Sequence, residues 1–425
     1  MDIRMMATFI EVTLYFIGLA TILLIFLPFS PMTIDLVNFS RDTQIAIYRH
    51  RRRFWVVGIA CFSLVLILGI VNVLSAGDGL NLDNWLWITL LTIGALVAMF
   101  WSGYVPFVMT PPSQQHILTV DEADQIIKPD EVVLGLVYDN EVRAYSRDEI
   151  ARPHFFKDNL NNTPLTISYC ILCNSGIAFK SELSGHTLNL RCVTAYNNNI
   201  IYFDPNTGNF IQQLDGSVIY GPDAGKALDA YPVVITSWKE WKQLYPETKF
   251  YYSPPTTFRD KMVGLMLQVM IPISKLSKRS KPWHRIRGEL DKRLPAMSFV
   301  YGVDINGESC AYSLQQLQHN PVVNDSVGGQ SITVFYNREY DIGRVFSSEV
   351  DSMALTFKHH EKKGTTVVAR DEETSTLWTV NGMGYEGPLS GKSLKPVTHI
   401  NKLFWFSWAL FKPKTRVGST ELKGS

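Results

Sequence analysis

The sequence predicts a membrane region of three transmembrane helices followed by a β-rich (α+β) soluble part built from two tandem repeats of one module. Three observations lead there. The first quarter carries three apolar runs, each about 20 residues long, enough to cross a hydrocarbon core as a helix. The remainder reads as short strands separated by turn formers. A shift of 167 residues brings that remainder into register with itself. Charged residues make up 19% of the 425-residue chain and hydrophobic residues 46%, which fits membrane segments joined to an ordinary globular part. A formal net charge of +1 gives no general attraction to nucleic acid.

The apolar runs cover residues 7–28, 55–76 and 85–109. Trp55, Trp85, Trp87, Trp101 and Tyr104 sit near their ends, where aromatic belts form. Glu11 lies near the start of the first run and reads as an interfacial residue. No small-residue cleavage site follows that run, so it does not read as a removable signal peptide. Arg41, Arg49, Arg51, Arg52 and Arg53 lie between the first two runs, while Asp78 and Asp83 lie between the last two. The positive-inside rule then places the arginines, and everything after Met109, in the cytoplasm of a bacterial-type inner membrane.

The internal register is held over more than a hundred residues. Gly135, Glu141, Ala144, Tyr145 and Ser146 meet Gly302, Glu308, Ala311, Tyr312 and Ser313. Tyr169, Gly176 and Phe179 meet Tyr336, Gly343 and Phe346. Trp238, Trp241, Pro246 and Thr248 meet Trp405, Trp408, Pro413 and Thr415. Each copy opens with a hairpin, turning at Asp139-Asn140 or Asn306-Gly307, followed by a short helix capped by Ser146 or Ser313. The expected divisions are therefore a membrane region 1–110, repeat one 111–254, an insertion 255–296, repeat two 297–418 and a disordered tail 419–425.

The copies part company at one place. Cys170 and Cys173, two residues apart after the strand-like Leu165-Thr166-Ile167-Ser168-Tyr169, are replaced by Asn337 and Tyr340. The scaffold does without the thiols in its own second copy, so a function specific to copy one needs them. Asp158 and Asp204, matched by Asp325 and Asp371, read first as loop-capping carboxylates. The sharper reading has all four lining a cleft between the copies, a natural ligand site. The insertion holds the apolar, methionine-rich run 262–276, then Lys275, Lys278, Arg279, Lys281, Trp283 and Arg285. It is short and broken by Pro272, so it reads as an interfacial segment with its bases on lipid phosphate rather than as a span.

The Cys170-x-x-Cys173-Asn-Ser-Gly run, the Asp204 and Thr207 turn, the Gly221-Pro222 loop and the Trp238-x-x-Trp241 segment resemble the bacterial and archaeal family catalogued as domain of unknown function 3179. In copy two, residues 324–329 and 387–391 resemble it as well. The resemblance covers roughly residues 120–418 and leaves the N-terminal spans outside. Some members of that family are selenoproteins, with selenocysteine in the Cys-x-x-Cys segment. At Cys170 and Cys173 the resemblance therefore implies redox chemistry. Relatives are exported or lipid-anchored, which implies an exported soluble part, against the charge rule.

Read from the residues themselves, the cysteine pair keeps three chemistries open. Thiol–disulfide exchange with a partner protein needs no cofactor, with one of Cys170 and Cys173 attacking and the other resolving. A zinc or copper site needs further ligands, for which Cys192 and His186 are candidates, with His154, His359, His360 and His399 behind them. A disulfide or inert pair in a non-catalytic, membrane-associated binding protein is the third. Cys61 and Cys310 read as small buried hydrophobes. There is no P-loop, no Gly-x-Gly-x-x-Gly, no His-Glu-x-x-His, no Gly-x-Ser-x-Gly and no basic-aromatic stripe for nucleic acid.

Overall fold

The computed structural model describes residues 3–26, 39–75, 82–108, 114–151, 153–254, 257–258, 261, 265 and 279–418. The tail 419–425, most of the run 262–276, and Lys275 and Lys278 lie outside these residues. The chain divides into two units, residues 1–110 with 191–196, and 111–190 with 197–425.

The first unit is helical: α1 (Ile3–Phe26), α2 (Arg41–Arg49), α3 (Arg51–Ser75) and α4 (Leu82–Val108). Ser40 starts α2 by accepting the backbone N–H of Thr43 at 3.2 Å. Glycines let α1 lie close to α3 and α4. A Cβ on Gly58 would stand 2.7 Å from Ile25, and one on Gly18 would stand 3.1 Å from Leu91. Phe9, Phe16, Val56, Leu64, Leu74 and Leu96 point outward from these helices. Among the described residues one stretch, Arg51–Leu74, is long and apolar enough to cross a membrane; Val12–Ile25 and Leu86–Met99 are shorter apolar stretches.

The second unit is β-rich with a few short helices. Strands Val132–Tyr138 and Glu141–Ser146 form a hairpin whose turn residues Asp139 and Asn140 have φ of 45° and 67°. Strands Phe299–Ile305 and Glu308–Ser313 form another, turning at Asn306 and Gly307 with φ of 50° and 82°. Those left-handed values suit the right-handed twist of the flanking strands. Ser146 and Ser313 then cap helices Arg147–Ile150 and Leu314–His319. Three-stranded meanders follow each helix: Phe155–Leu160, Thr163–Cys170 and Ser175–Lys180, then Val322–Val327, Gln330–Asn337 and Ile342–Ser347.

Strands from both halves of this unit share one sheet. Its order runs Arg416–Val417, Glu308–Ser313, Phe299–Ile305, His399–Phe404, Ser175–Lys180, Thr163–Cys170, Phe155–Leu160. The two halves join where Asn401 pairs with Gly176. A single hydrophobic cluster likewise contains Trp238, Trp241 and Phe250 together with Phe335, Phe346 and Trp378.

Each half also buries a tryptophan under a glycine. Trp241 lies across Gly135 and donates to Thr248 Oγ1 at 2.9 Å; Trp408 lies across Gly302 and donates to Thr415 Oγ1 at 2.8 Å. A Cβ at either glycine would fall within the indole ring. Gly135→Ala and Gly302→Ala are each expected to cost about 3 kcal/mol through overpacking. The check is the denaturant midpoint of each purified variant against the parent; an unchanged midpoint would mean the indole moves aside freely.

Candidate functional site

The two thiols sit at the end of a hairpin. Thr163–Cys170 runs antiparallel to Ser175–Lys180 with Cys170 opposite Ser175, and residues 171–174 make the turn. Asn174 takes the left-handed conformation at φ 56° and accepts the Tyr169 hydroxyl at 2.7 Å. Strand His399–Phe404 holds the turn from the other half: Phe404 N–H donates to Cys173 O at 3.0 Å, and Asn174 Nδ2 donates to Lys402 O at 2.6 Å. Lys402 is itself buried, with Nζ on Ile235 O, Asp341 O and Asp341 Oδ2 at 3.0, 2.6 and 2.7 Å. Burial lowers its pKa and the Asp341 carboxylate opposes that.

Cys170 and Cys173 are free thiols, each 0% exposed. Cys173 Sγ lies 3.1 Å from Ser175 Oγ and accepts Asn199 Nδ2 at 3.3 Å. The amide of Asn199 is held in that orientation because its Oδ1 accepts from Leu214 N–H at 3.1 Å and from Gln212 Nε2. Gln213 spans the site, donating from Nε2 to Ser175 O at 3.1 Å and accepting at Oε1 from both Ser175 Oγ and Asn199 Nδ2 at 2.7 Å. The Ser175 hydroxyl thus has two acceptors within reach and can turn from the amide to the sulfur when Cys173 loses its proton.

The two sulfurs are pushed in opposite directions. Burial raises the Cys173 pKa, but hydrogen bonds from the Cys170 thiol, Ser175, Asn199 and the Ser175 N–H outweigh it and bring Cys173 down to about 7. Cys170 is held well above the ordinary thiol range by burial, then by its hydrogen bond to Cys173 and the charge there. It also donates to Asn198 O at 3.3 Å. Cys173 is therefore the more readily ionised of the two thiols, and Cys170 the one that keeps its proton.

Other residues singled out from the sequence fall elsewhere. Cys192 lies on strand Arg191–Tyr196 of the first unit, pushed by burial to about 12. His186 is exposed on a two-residue strand. Among the described residues no three His, Cys, Asp or Glu side chains gather as a metal site. His154 is buried and lowered by that burial to about 4; its carbonyl accepts Tyr202 O–H and Tyr169 N–H. Of the basic segment, Arg279 stacks over Trp283 at 4.6 Å, and Lys281 and Arg285 are exposed.

The four aspartates do not line a cleft, because their carboxylates are taken up locally. Asp204 accepts from Asn189 N–H, Thr207 N–H and Thr207 Oγ1 at 2.9, 3.1 and 2.6 Å. Asp371 does the same for Thr374, Thr376 and the indole of Trp378. Asp158 accepts Tyr145 O–H at 2.8 Å beside Arg143 at 3.7 Å. Asp325 accepts Tyr312 O–H at 2.7 Å and both amino groups of Arg416 at 2.7 and 2.9 Å. A cleft of about 520 Å³ does exist, lined among others by Tyr169, Asn174, Ile235, Phe299, Lys402 and Phe404, on the outer side of the cysteine turn.

With this geometry in view, comparison with known families is decisive on one point. A family model described as protein of unknown function (DUF3179) matches residues 103–415. The chain belongs to the DUF3179 family. The DUF3179 match takes in the whole cysteine site and both tryptophan–glycine contacts, and leaves α1, α2 and α3 outside. No curated protein and no solved structure matches the chain.

Sequence reasoning missed Ser175, Asn198, Asn199 and Gln213. The internal register held a clue to two of them: Ser175 meets Ile342 and Gln213 meets Val380, both in the second half's apolar core. Where this DUF3179 member has thiols in one half, it has polar partners there too, and apolar side chains opposite.

Because the folded pKa of Cys173 is depressed, its thiolate contributes stability above the unfolded value near 9, and that contribution is lost as pH falls through about 7. Replacing Asn199 by Ala should move the thiolate midpoint upward by about one unit. The stability gap between parent and variant should widen from pH 6 to pH 9. Ultraviolet thiolate absorbance and denaturation at the two pH values read these effects; a midpoint that stays put would remove Asn199 from the thiolate's support.

Proposed function

We propose that this chain is a membrane-anchored protein whose Cys170–Cys173 pair carries out thiol–disulfide redox chemistry. One observation carries the reading: a thiol brought down to about 7 by directed donors lies against a second thiol held protonated. A thiol with a pKa near ambient pH combines thiolate population with nucleophilicity. Cys173 attacks a sulfur of the oxidised partner, forming a mixed disulfide and expelling the first thiolate. Cys170 then attacks Cys173, closing the internal disulfide and releasing the second. The partner gains two electrons and the pair loses them.

The soluble part is read as two copies of one module, of which the second has lost or never had the thiol chemistry. The recurring hairpin, capped helix, meander and tryptophan-on-glycine support this. The helices α1, α3 and α4 are read as the three spans. Their outward apolar side chains and the length of Arg51–Leu74 support membrane anchorage. The arginines of α2 and the start of α3 support reading the soluble part on the cytoplasmic face, against the exported location that the family resemblance implies. Arg279, Lys281, Trp283 and Arg285 are read as resting on lipid headgroups.

Differential alkylation and mass spectrometry across a series of glutathione potentials should show Cys170 and Cys173 oxidising together and reversibly. Stoichiometric zinc or copper that disappears in Cys170→Ser and Cys173→Ser would replace this reading with a metal site. A phosphatase reporter fused after Ser425 should stay inactive, as expected for a cytoplasmic end; an active reporter reverses the topology.

A further inference from the structure

We propose that the oxidant of the Cys170–Cys173 pair is a small uncharged hydroperoxide, and that a strap at residues 284–287 keeps larger disulfides away. The proposal rests on the reading above for Cys173 as the attacking and Cys170 as the resolving thiol, and puts a hydroperoxide in place of the partner disulfide as the electron acceptor.

The starting point is enclosure. Attack on a disulfide requires the incoming sulfur and its leaving partner to line up with the thiolate, and both cysteines are fully enclosed. The cover next to Cys170 is specific. Asn197 and Asn198 form a turn with φ of 48° and 62°. Asn198 donates from Nδ2 to His284 O at 3.0 Å and accepts His284 N–H at Oδ1 at 2.8 Å. Asn197 makes the same reciprocal pair with Arg287, at 3.2 and 2.8 Å. Four hydrogen bonds thus hold residues 284–287 onto the turn whose carbonyl, Asn198 O, receives the Cys170 thiol.

The second observation is the polarity of the enclosed site. The groups around Cys173 are neutral: Ser175 Oγ, Asn199 Nδ2 and Gln213 Oε1, in mutual hydrogen-bond contact. Among the described residues no charged side chain hydrogen-bonds either sulfur. A charged disulfide such as oxidised glutathione would have to shed its hydration with no counter-charge to meet. A hydroperoxide carries no charge, donates one O–H and accepts at both oxygens. Ser175 and Asn199, which donate to Gln213 Oε1, would turn those donors to the peroxide oxygens and leave Gln213 Oε1 to accept the O–H.

The reaction balances within the site. The Cys173 thiolate attacks the terminal oxygen; an S–O bond forms and the O–O bond breaks. The alkoxide leaves with a proton from water as an alcohol, and Cys173 is left as a sulfenic acid, oxidised by two electrons. Cys170 then attacks the Cys173 sulfur. The S–S bond forms, and the expelled hydroxide takes the Cys170 proton to leave as water.

The test uses the reduced full-length protein. Hydrogen peroxide and glutathione disulfide are added separately, and loss of alkylatable Cys170 and Cys173 is followed by mass spectrometry. Peroxide should close the internal disulfide at least about tenfold faster than glutathione disulfide at equal concentration, since exchange depends on access. In Cys170→Ser, peroxide should leave a dimedone-trappable sulfenic acid at Cys173. In Asn197→Gly, which keeps the left-handed turn and loses both bonds to Arg287, the glutathione disulfide rate should rise about tenfold while the peroxide rate changes by less than about twofold; an unchanged glutathione disulfide rate would overturn the strap's role. The parent comparison stands whether or not that variant folds. Equal parent rates with the two reagents would overturn the hydroperoxide assignment and leave thiol–disulfide exchange intact. If neither reagent forms a reversible Cys170–Cys173 disulfide, the redox reading falls with it.

Discussion

The seam between strands His399–Phe404 and Ser175–Lys180 is the constraint on which the second unit depends. It consists of the Asn401–Gly176 pairing, the bond from Phe404 N–H to Cys173 O, and the bond from Asn174 to Lys402 O. These contacts make one sheet out of strands nearly 230 positions apart in the chain, as the Asn174 to Lys402 separation of 228 shows. Fixing that sheet fixes the turn at residues 171–174. With the turn fixed, Tyr169 and Asn174 face the cleft, while Cys173 Sγ faces the Asn199 amide and Cys170 Sγ faces Asn198 O. Loop-closure entropy makes such distant pairing costly. The shared tryptophan and phenylalanine core offsets that cost.

Buried polar groups are tolerable only when satisfied, and a partly satisfied cluster is worse than an apolar one. The cysteine half approaches that condition with a set of amides and hydroxyls that bond one another, Gln212 Oε1 alone among them lacking a partner. The second half has fewer polar groups to answer: Ile342 and Val380, at the places of Ser175 and Gln213, join the hydrophobic cluster, and Asn337, at the place of Cys170, accepts Tyr340 N–H at 3.0 Å. The same backbone therefore accepts two interiors. What separates them is a concerted exchange of several side chains. A lone cysteine pair dropped into the second half would find burial to raise its pKa and no donors to lower it.

Much of the architecture was legible because it is local. Left-handed hairpin turns, serine caps and the strand–turn–strand around Cys170 and Cys173 follow from residues a few positions apart, and the structure has each of them. The site was legible only at its centre. Asn199 and Gln213 read as unremarkable polar residues near turns, and nothing within the sequence places Asn199 beside a thiol 26 residues away or Gln213 beside a serine 38 residues away. The aspartates, read first as loop caps, drew a sharper reading toward a cleft for the converse reason. Matched carboxylates look functional in a sequence, but Asp204 and Asp371 cap their own turns, and Asp158 and Asp325 each hold a tyrosine hydroxyl beside an arginine. A cleft between the halves was a sound expectation; its walls are aromatic and include a lysine, Lys402, which the sequence reading passed over.

Asp158 and Asp325 occupy equivalent hairpins, and each takes a tyrosine hydroxyl at nearly the same distance. Their counter-charges come from different places. Arg143 sits on the strand preceding Asp158, where the second half has Cys310; Arg416 reaches Asp325 from the parallel strand Arg416–Val417, where the first half has Lys249. Each half has thus solved the same electrostatic problem with a different strand. The halves are entrenched: a crossover between them that exchanged only one of those strands would produce a carboxylate with two arginines or with none. The two halves, alike in their hairpins and capped helices, are thus not interchangeable in parts.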